Sequence, residues 1–261
     1  MPRFAANLSM MFTEVPFLDR FEAAAKAGFT AVEFLFPYDH PAEAVGEAAA
    51  RQRPDAGAVQ PAAGQLGRRR KGLCRAAGPF CRSAAEPAHR AALCAGDRRQ
   101  AAASDGGYCR PQAISKAVEA FYKSVAWAAE FFAPHGLDVV IEPINPRNVP
   151  GYFLNDFVFA RDLINELKIP NLKLQFDIYH CQIIHGDVTM RLREMMPIIG
   201  HIQIASIPSR NEPDGEELNY PFLFAELDRL GYGGFVGCEY NPRGKTTDGL
   251  GWFKPYAGVK P

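Results

Sequence analysis

Among the 261 residues no apolar run approaches the ~18–20 that a membrane span needs, and Met1-Pro2-Arg3-Phe4 opens no apolar stretch of the secretory kind. The expectation is a chain with no membrane partner, located in the cytoplasm. No strand-like run is followed by Gly-x-Gly-x-x-Gly; the cluster Gly231, Gly233 and Gly234 precedes a strand instead, which speaks against a dinucleotide cradle. Cysteine is sparse outside one window: Cys181 and Cys238 have neither metal-ligand spacing nor a pattern that calls for a disulfide. Net charge is absent too, with 29 Lys+Arg against 29 Asp+Glu, which argues against a nucleic-acid partner only if the charges are evenly spread.

They are not. Between Arg51 and Gln112 eleven Arg and one Lys face only Asp55, Glu86, Asp97 and Asp105, a local excess of +8 that leaves −8 on the remainder. The same window has no Ile, Met or Trp and only five residues of the Leu, Val and Phe types, so no core strand can be written in it. Three explanations compete: a flexible basic insert, a nucleic-acid-binding tract, or a GC-rich gene translated in the wrong frame. The tract lacks aromatics interleaved for base stacking. If each codon is read one base later, with the degenerate third bases chosen to suit, Arg51–Leu66 can become ANGLTQALFNLPPGNW and His89–Arg110 can become TALRYAQAIGAKRLHLMAGIAD, both ordinary βα sequence. One constant shift serves the whole window, and the frame-shifted reading is the expectation for 51–112.

Elsewhere the pattern is regular. Phe4–Met10 is an apolar run, and Pro16–Lys26 places Phe17, Phe21 and Ala24 on one helical face ahead of Gly28. Ala31–Phe36 reads as a strand. Val118, Phe121, Val125, Ala128 and Phe132 step by three and four, a helix stopped by Pro134 and Gly136. Short apolar runs at Asp138–Glu142, Leu172–Asp177, Ile199–Ile204 and Phe235–Glu239 alternate with helical stretches at about 155–168, 187–195 and 217–231. Six strands in alternation with helices, and room in the window for two more units of roughly 30 residues, predict a TIM (β/α)8 barrel, with an open doubly wound sheet as the rival.

Barrel active sites lie at the C-terminal ends of the strands. Glu142, Asp177, Gln203 and Glu239 end four of the runs at separations of 35, 26 and 36 residues, about one βα unit each, and so converge on one mouth. Three carboxylates there repel one another unless a cation lies between them. Oxygen ligands without clustered His or Cys favour Mg²⁺ or Mn²⁺ over zinc. His180 follows Asp177 by three and can reach a ligand at the rim. Arg210 suits a substrate carboxylate, with a surface pair to Glu212 as the alternative. His201 shares a face with Gln203 one layer deeper, and His185 reads as a solvated loop residue.

On these residues the chain resembles the hydroxypyruvate isomerase family of xylose-isomerase-like barrels, which includes 2-oxo-tetronate isomerases. The resemblance is carried by Phe4-Ala-Ala-Asn-Leu-Ser-Met10, Val32-Glu-Phe-Leu-Phe-Pro-Tyr38, Ile141-Glu-Pro-Ile-Asn145, Pro150-Gly-Tyr152, Phe176-Asp-Ile-Tyr-His180, His201-Ile-Gln-Ile-Ala205, Glu217-Leu-Asn-Tyr220, Gly237-Cys-Glu-Tyr240 and Gly249-Leu-Gly-Trp252. It covers 1–50 and 113–261 as they stand, and 51–112 only in the shifted reading. It implies a single barrel domain over 1–261 and a metal held by Glu142, Asp177, Gln203 and Glu239. Glu142 and Glu239 become the proton donor/acceptor pair, His180 and Arg210 orient the substrate, and Asn7 and Glu33 are weaker rim candidates. The implied reaction converts hydroxypyruvate to 2-hydroxy-3-oxopropanoate through a metal-stabilised enediolate, with 2-oxo-tetronate as the alternative substrate; Ile141–Asn145 leans slightly to the former. A more distant alternative is an endonuclease-IV-like phosphodiesterase, which needs several metals, more strand-end His and a basic face. A third is a binding protein without activity. The sequence specifies no oligomeric state.

Overall fold

The computed structural model describes residues 1–35, 37–51 and 111–257, with side chains in the last stretch from 116 onward. Residues 52–110 of the frame-shifted window, and Phe36, which the second strand was expected to reach, lie outside the described residues.

Six parallel strands are described: β1 (Arg3–Asn7), β2 (Ala31–Glu33), β3 (Val139–Ile141), β4 (Leu172–Asp177), β5 (Ile199–Ile204) and β6 (Phe235–Cys238). Their order is β2-β1-β6-β5-β4-β3, with every neighbouring pair parallel. That order is one uninterrupted arc of a cyclic arrangement, since the first strand pairs with the last. An open doubly wound sheet has no reason to join its ends in this way. The architecture is a TIM barrel, of which the described strands form the arc from β2 round to β3.

Helices follow the strands as βα logic requires: α1 (Arg20–Lys26), α2 (Ala42–Arg51), α3 (Pro111–Phe132), α4 (Phe157–Leu167), α5 (Ile178–Ile184), α6 (Val188–Met195) and α7 (Tyr220–Arg229). Each turns an apolar stripe inward. On α4 the buried face is Phe157, Ala160, Leu163 and Ile164, and Asp156 caps its first turn by accepting from the backbone N–H of Val158 (2.7 Å) and Phe159 (3.0 Å). The stripe on α3 runs through Val125 and Ala129 rather than Ala128, because steps of four from Phe121 hold the face better than the alternating steps expected. Gly28 and Gly136, at φ +97° and +64°, occupy the left-handed region in the turns that follow the first helix and α3.

Two expectations change. His185 is not solvated: its Nε2 accepts from the Phe157 backbone N–H at 3.2 Å and lies 3.5 Å from Asp156, so it joins the cap of α4. Glu212 does not pair with Arg210. It is buried and bound by the side chain of Arg243 at 2.8 Å, which frees Arg210 to turn inward.

Candidate active site

All six strands point the same way, so their C-terminal ends share one mouth, and the register aligns Asn7 with Glu33 and Asp177 with Gln203. Asp177 ends β4 and also caps α5. Its Oδ1 accepts from the backbone N–H of Tyr179 (2.8 Å) and His180 (3.4 Å), while Oδ2 is buried with no hydrogen-bond partner. The helical turn begun by that cap carries His180 round so that its Nε2 lies 3.6 Å from Asp177 Oδ2 and 3.7 Å from Glu142 Oε1.

Glu142 follows β3 and Glu239 follows β6, so β4 and β5 separate them around the mouth. Although the Glu142 side chain is 21% exposed, its Oε1 is buried and unpartnered. Glu142, Asp177, His180 and Glu239 can each offer one ligand atom within 4.8 Å of all the others. Desolvation raises the Glu142 pKa well above the carboxylate range, and the charges of Glu239 and Asp177 add to it. Glu239 is raised by the same causes, burial first and Asp177 next, although Arg210 Nη2 donates to its Oε2 at 2.8 Å and opposes the shift. Burial holds the His180 pKa down, against the Asp177 charge, which raises it. Nearby, burial and the Glu142 charge push the Tyr152 hydroxyl up to about 12.

Arg210 takes φ +58° on the loop after β5, and its guanidinium stacks 5.0 Å from the Tyr179 ring centroid. Its Nε is buried without a partner. One layer down, the remaining sequence candidates form a closed network. Glu33 Oε1 accepts from Asn7 Nδ2 and Gln203 Nε2, both at 2.8 Å, and Glu33 Oε2 lies 2.6 Å from His201 Nε2. Gln203 Oε1 in turn accepts from Gln175 Nε2 at 2.5 Å. Asn7 and Glu33 are therefore buried and mutually bonded inside the barrel instead of standing free at its rim. Gly237 makes that crossing possible, since a Cβ there would overlap the Glu33 carboxyl group.

Two orphaned carboxylate oxygens in a buried cluster are costly as they stand, and a hard divalent cation between them would remove the cost. The donor set fits such an ion. Three residues of the site had not been singled out from sequence: Asn145, Gln175 and Tyr179. Asn145 lies in the Ile141–Asn145 segment, but Gln175 left no signal, because its partner Gln203 is visible only once β4 and β5 pair.

A family model described as a xylose isomerase-like TIM barrel matches residues 21–256. The chain is 46% identical to 2-oxo-tetronate isomerase of Cupriavidus necator, over 99% of this chain and 100% of that protein. It is 36% identical to hydroxypyruvate isomerase of Escherichia coli, over 98% and 100% respectively. The solved structure of an AP endonuclease, family 2, from Brucella melitensis is 39% identical, with a TM-score of 0.74 over 98% of this chain and 100% of that one.

Proposed function

The chain belongs to the xylose isomerase-like TIM-barrel family, and from that premise we propose that it isomerises small hydroxy-oxo acids of the form R–CHOH–CO–COO⁻. The oxo group moves from carbon 2 to carbon 3 as one proton passes from carbon 3 to carbon 2 and a second passes from the carbon-3 hydroxyl to the carbon-2 oxygen. The observation that carries this reading is the pair Glu142 and Glu239, two desolvated carboxyl groups on separate sides of one mouth, both with raised pKa values. Carboxyl groups held on separate sides of one mouth are placed to take a carbon-bound proton and return it.

In this scheme Glu239 removes the proton from carbon 3, and it or Glu142 returns one to carbon 2, the planar intermediate lying between them. Arg210, already hydrogen-bonded to Glu239, orients that carboxylate and binds the substrate's own carboxylate with its remaining N–H groups. His180 donates to a substrate oxygen. Glu142, Asp177 and Glu239 would hold Mg²⁺ or Mn²⁺, with Gln203 as the fourth candidate, and the cation supplies positive charge where negative charge develops on the substrate oxygens.

Hydroxypyruvate (R = H) and 2-oxo-tetronate (R = CH₂OH) differ by one hydroxymethyl group. The 46% identity to a 2-oxo-tetronate isomerase, against 36% to a hydroxypyruvate isomerase, favours the four-carbon acid. This reverses the preference drawn from Ile141–Asn145. The Brucella melitensis relative's description supports phosphodiester cleavage as a second reading, yet among the described residues the cluster contains one His. Purified protein incubated with each oxo acid, with and without EDTA, and separately with abasic DNA, distinguishes these. Expected is EDTA-sensitive turnover of 2-oxo-tetronate above that of hydroxypyruvate. No turnover of either acid together with DNA cleavage would overturn the isomerase.

A further inference from the structure

The segment Glu142-Pro-Ile-Asn145 delivers one proposed acid/base group and then a fully buried Asn whose role the scheme above leaves open. Asn145 lies against His180. Its backbone N–H donates to His180 Nδ1 at 3.2 Å, and its side-chain Nδ2 lies 2.6 Å from the same nitrogen. The amide's orientation follows from its other contacts. Asn145 Oδ1 accepts from the Asn148 backbone N–H at 2.9 Å, so the oxygen cannot exchange places with Nδ2 without setting two donors against each other. The two hydrogens on Nδ2 then have two acceptors, Asn148 Oδ1 at 2.8 Å and His180 Nδ1. Asn148 Oδ1 is itself held by the Tyr179 hydroxyl at 2.9 Å.

With two N–H donors converging on it, His180 Nδ1 must accept. A neutral imidazole that accepts at Nδ1 carries its proton at Nε2. That nitrogen faces Glu142 Oε1 and Asp177 Oδ2. Metal-ligating histidines show the reverse arrangement, donating the second ring N–H outward to an acceptor. We propose that Asn145 is a positioning residue that fixes His180 as the Nε2–H tautomer, making it a hydrogen-bond donor to the substrate oxygen and removing it from the metal's ligand set, although it lies within ligand distance. The donor role rests on the isomerase reading; the tautomer does not.

Ring ¹⁵N NMR of the intact, folded protein with Mg²⁺ tests this, with the His180 signals identified by their loss in His180→Gln. Expected are a protonated Nε2 and an unprotonated Nδ1, both unmoved when Mg²⁺ is removed. In Asn145→Asp, which replaces the side-chain donor with an acceptor and leaves only the backbone N–H facing Nδ1, the Nδ1-protonated fraction should rise and turnover should fall by about 10- to 100-fold, the range for residues that orient a site group, without loss of the folded spectrum. A wild-type Nδ1–H pattern, or loss of the Nε2 proton on adding Mg²⁺, would overturn the proposal, and both are read on the wild-type protein, with His180→Gln used only to identify the signals. The expected pattern in a protein inactive on both oxo acids would support the assignment of Asn145 while overturning the activity.

Discussion

At Glu239 one carboxyl group answers to burial, to the neighbouring Asp177 charge and to Arg210 at 2.8 Å. Glu239→Gln keeps the shape and removes the charge, so turnover should fall by about 10²- to 10⁴-fold, the usual yield of positioned acid/base catalysis, with an unchanged circular dichroism spectrum. Retained turnover would refute the role. The raised pKa values of Glu142 and Glu239 also bear on stability. Without metal the native state binds more protons than the unfolded state above the ordinary carboxylate pKa, so stability falls as pH rises through that range. A bound cation stabilises the charged forms and opposes this loss. EDTA is therefore expected to lower the melting temperature more at a pH of about 8 than at about 5.5; equal depression at both would count against these carboxylates as ligands. The convergence of Glu142, Asp177 and Glu239 on one mouth was legible because each ends an apolar run, a property of its own neighbourhood. The bonds of Glu33 to His201 and Gln203 were not, since they span 168 and 170 residues and exist only when the barrel brings β2 across to β5.

At the level of elements, Asp177 divides its two oxygens between tasks, Oδ1 holding the first turn of α5 and Oδ2 left for the site. Asp177→Asn and Asp177→Ala should separate them. The Asn variant can still cap, so in EDTA it should unfold near the midpoint of the metal-free wild type, while titration calorimetry should show that it has lost metal binding. The Ala variant should lose the metal and a further ~1 kcal/mol of stability with the cap. If both destabilise equally, the capping oxygen is not what holds α5. Strands β4 and β5 have the ends their sequences suggest: the β4 run closes on the polar Asp177, and the β5 run closes on Ile204, one residue past Gln203. Helices α2 and α5 were not read from sequence. In α2 only Val45 and Ala48 are buried on a face otherwise made of Ala, Gly and charged residues, too faint a stripe. In α5 the seven residues continue the apolar character of β4 without a break, and only the cap of Asp177 divides strand from helix.

Over the whole molecule the strand order leaves β2 and β3 as the outer strands of the described arc, while an eight-stranded barrel places two more between them. The residues from 51 to 112 supply +8 of charge against −8 elsewhere and few side chains suited to a core, whereas their shifted reading contains LFNL and RLHLMAG, each an apolar run of strand length. Burying Leu, Phe and Leu of the first run alone would contribute on the order of 5 kcal/mol at ~1.5–3 kcal/mol per side chain, or roughly 10–20 °C at ~2–4 °C per kcal/mol for a domain of this size. A chain carrying the shifted reading over 51–112 is thus expected to melt higher by about that amount, to turn over substrate faster, and to focus at an acidic pH instead of near 7.0. The acidic shift follows from charge alone and would occur in any fold, so it decides nothing by itself. A midpoint that stays level or drops would show that the barrel closes with the residues it has, and the +8 would then belong to the folded protein, set against the −8 of the rest.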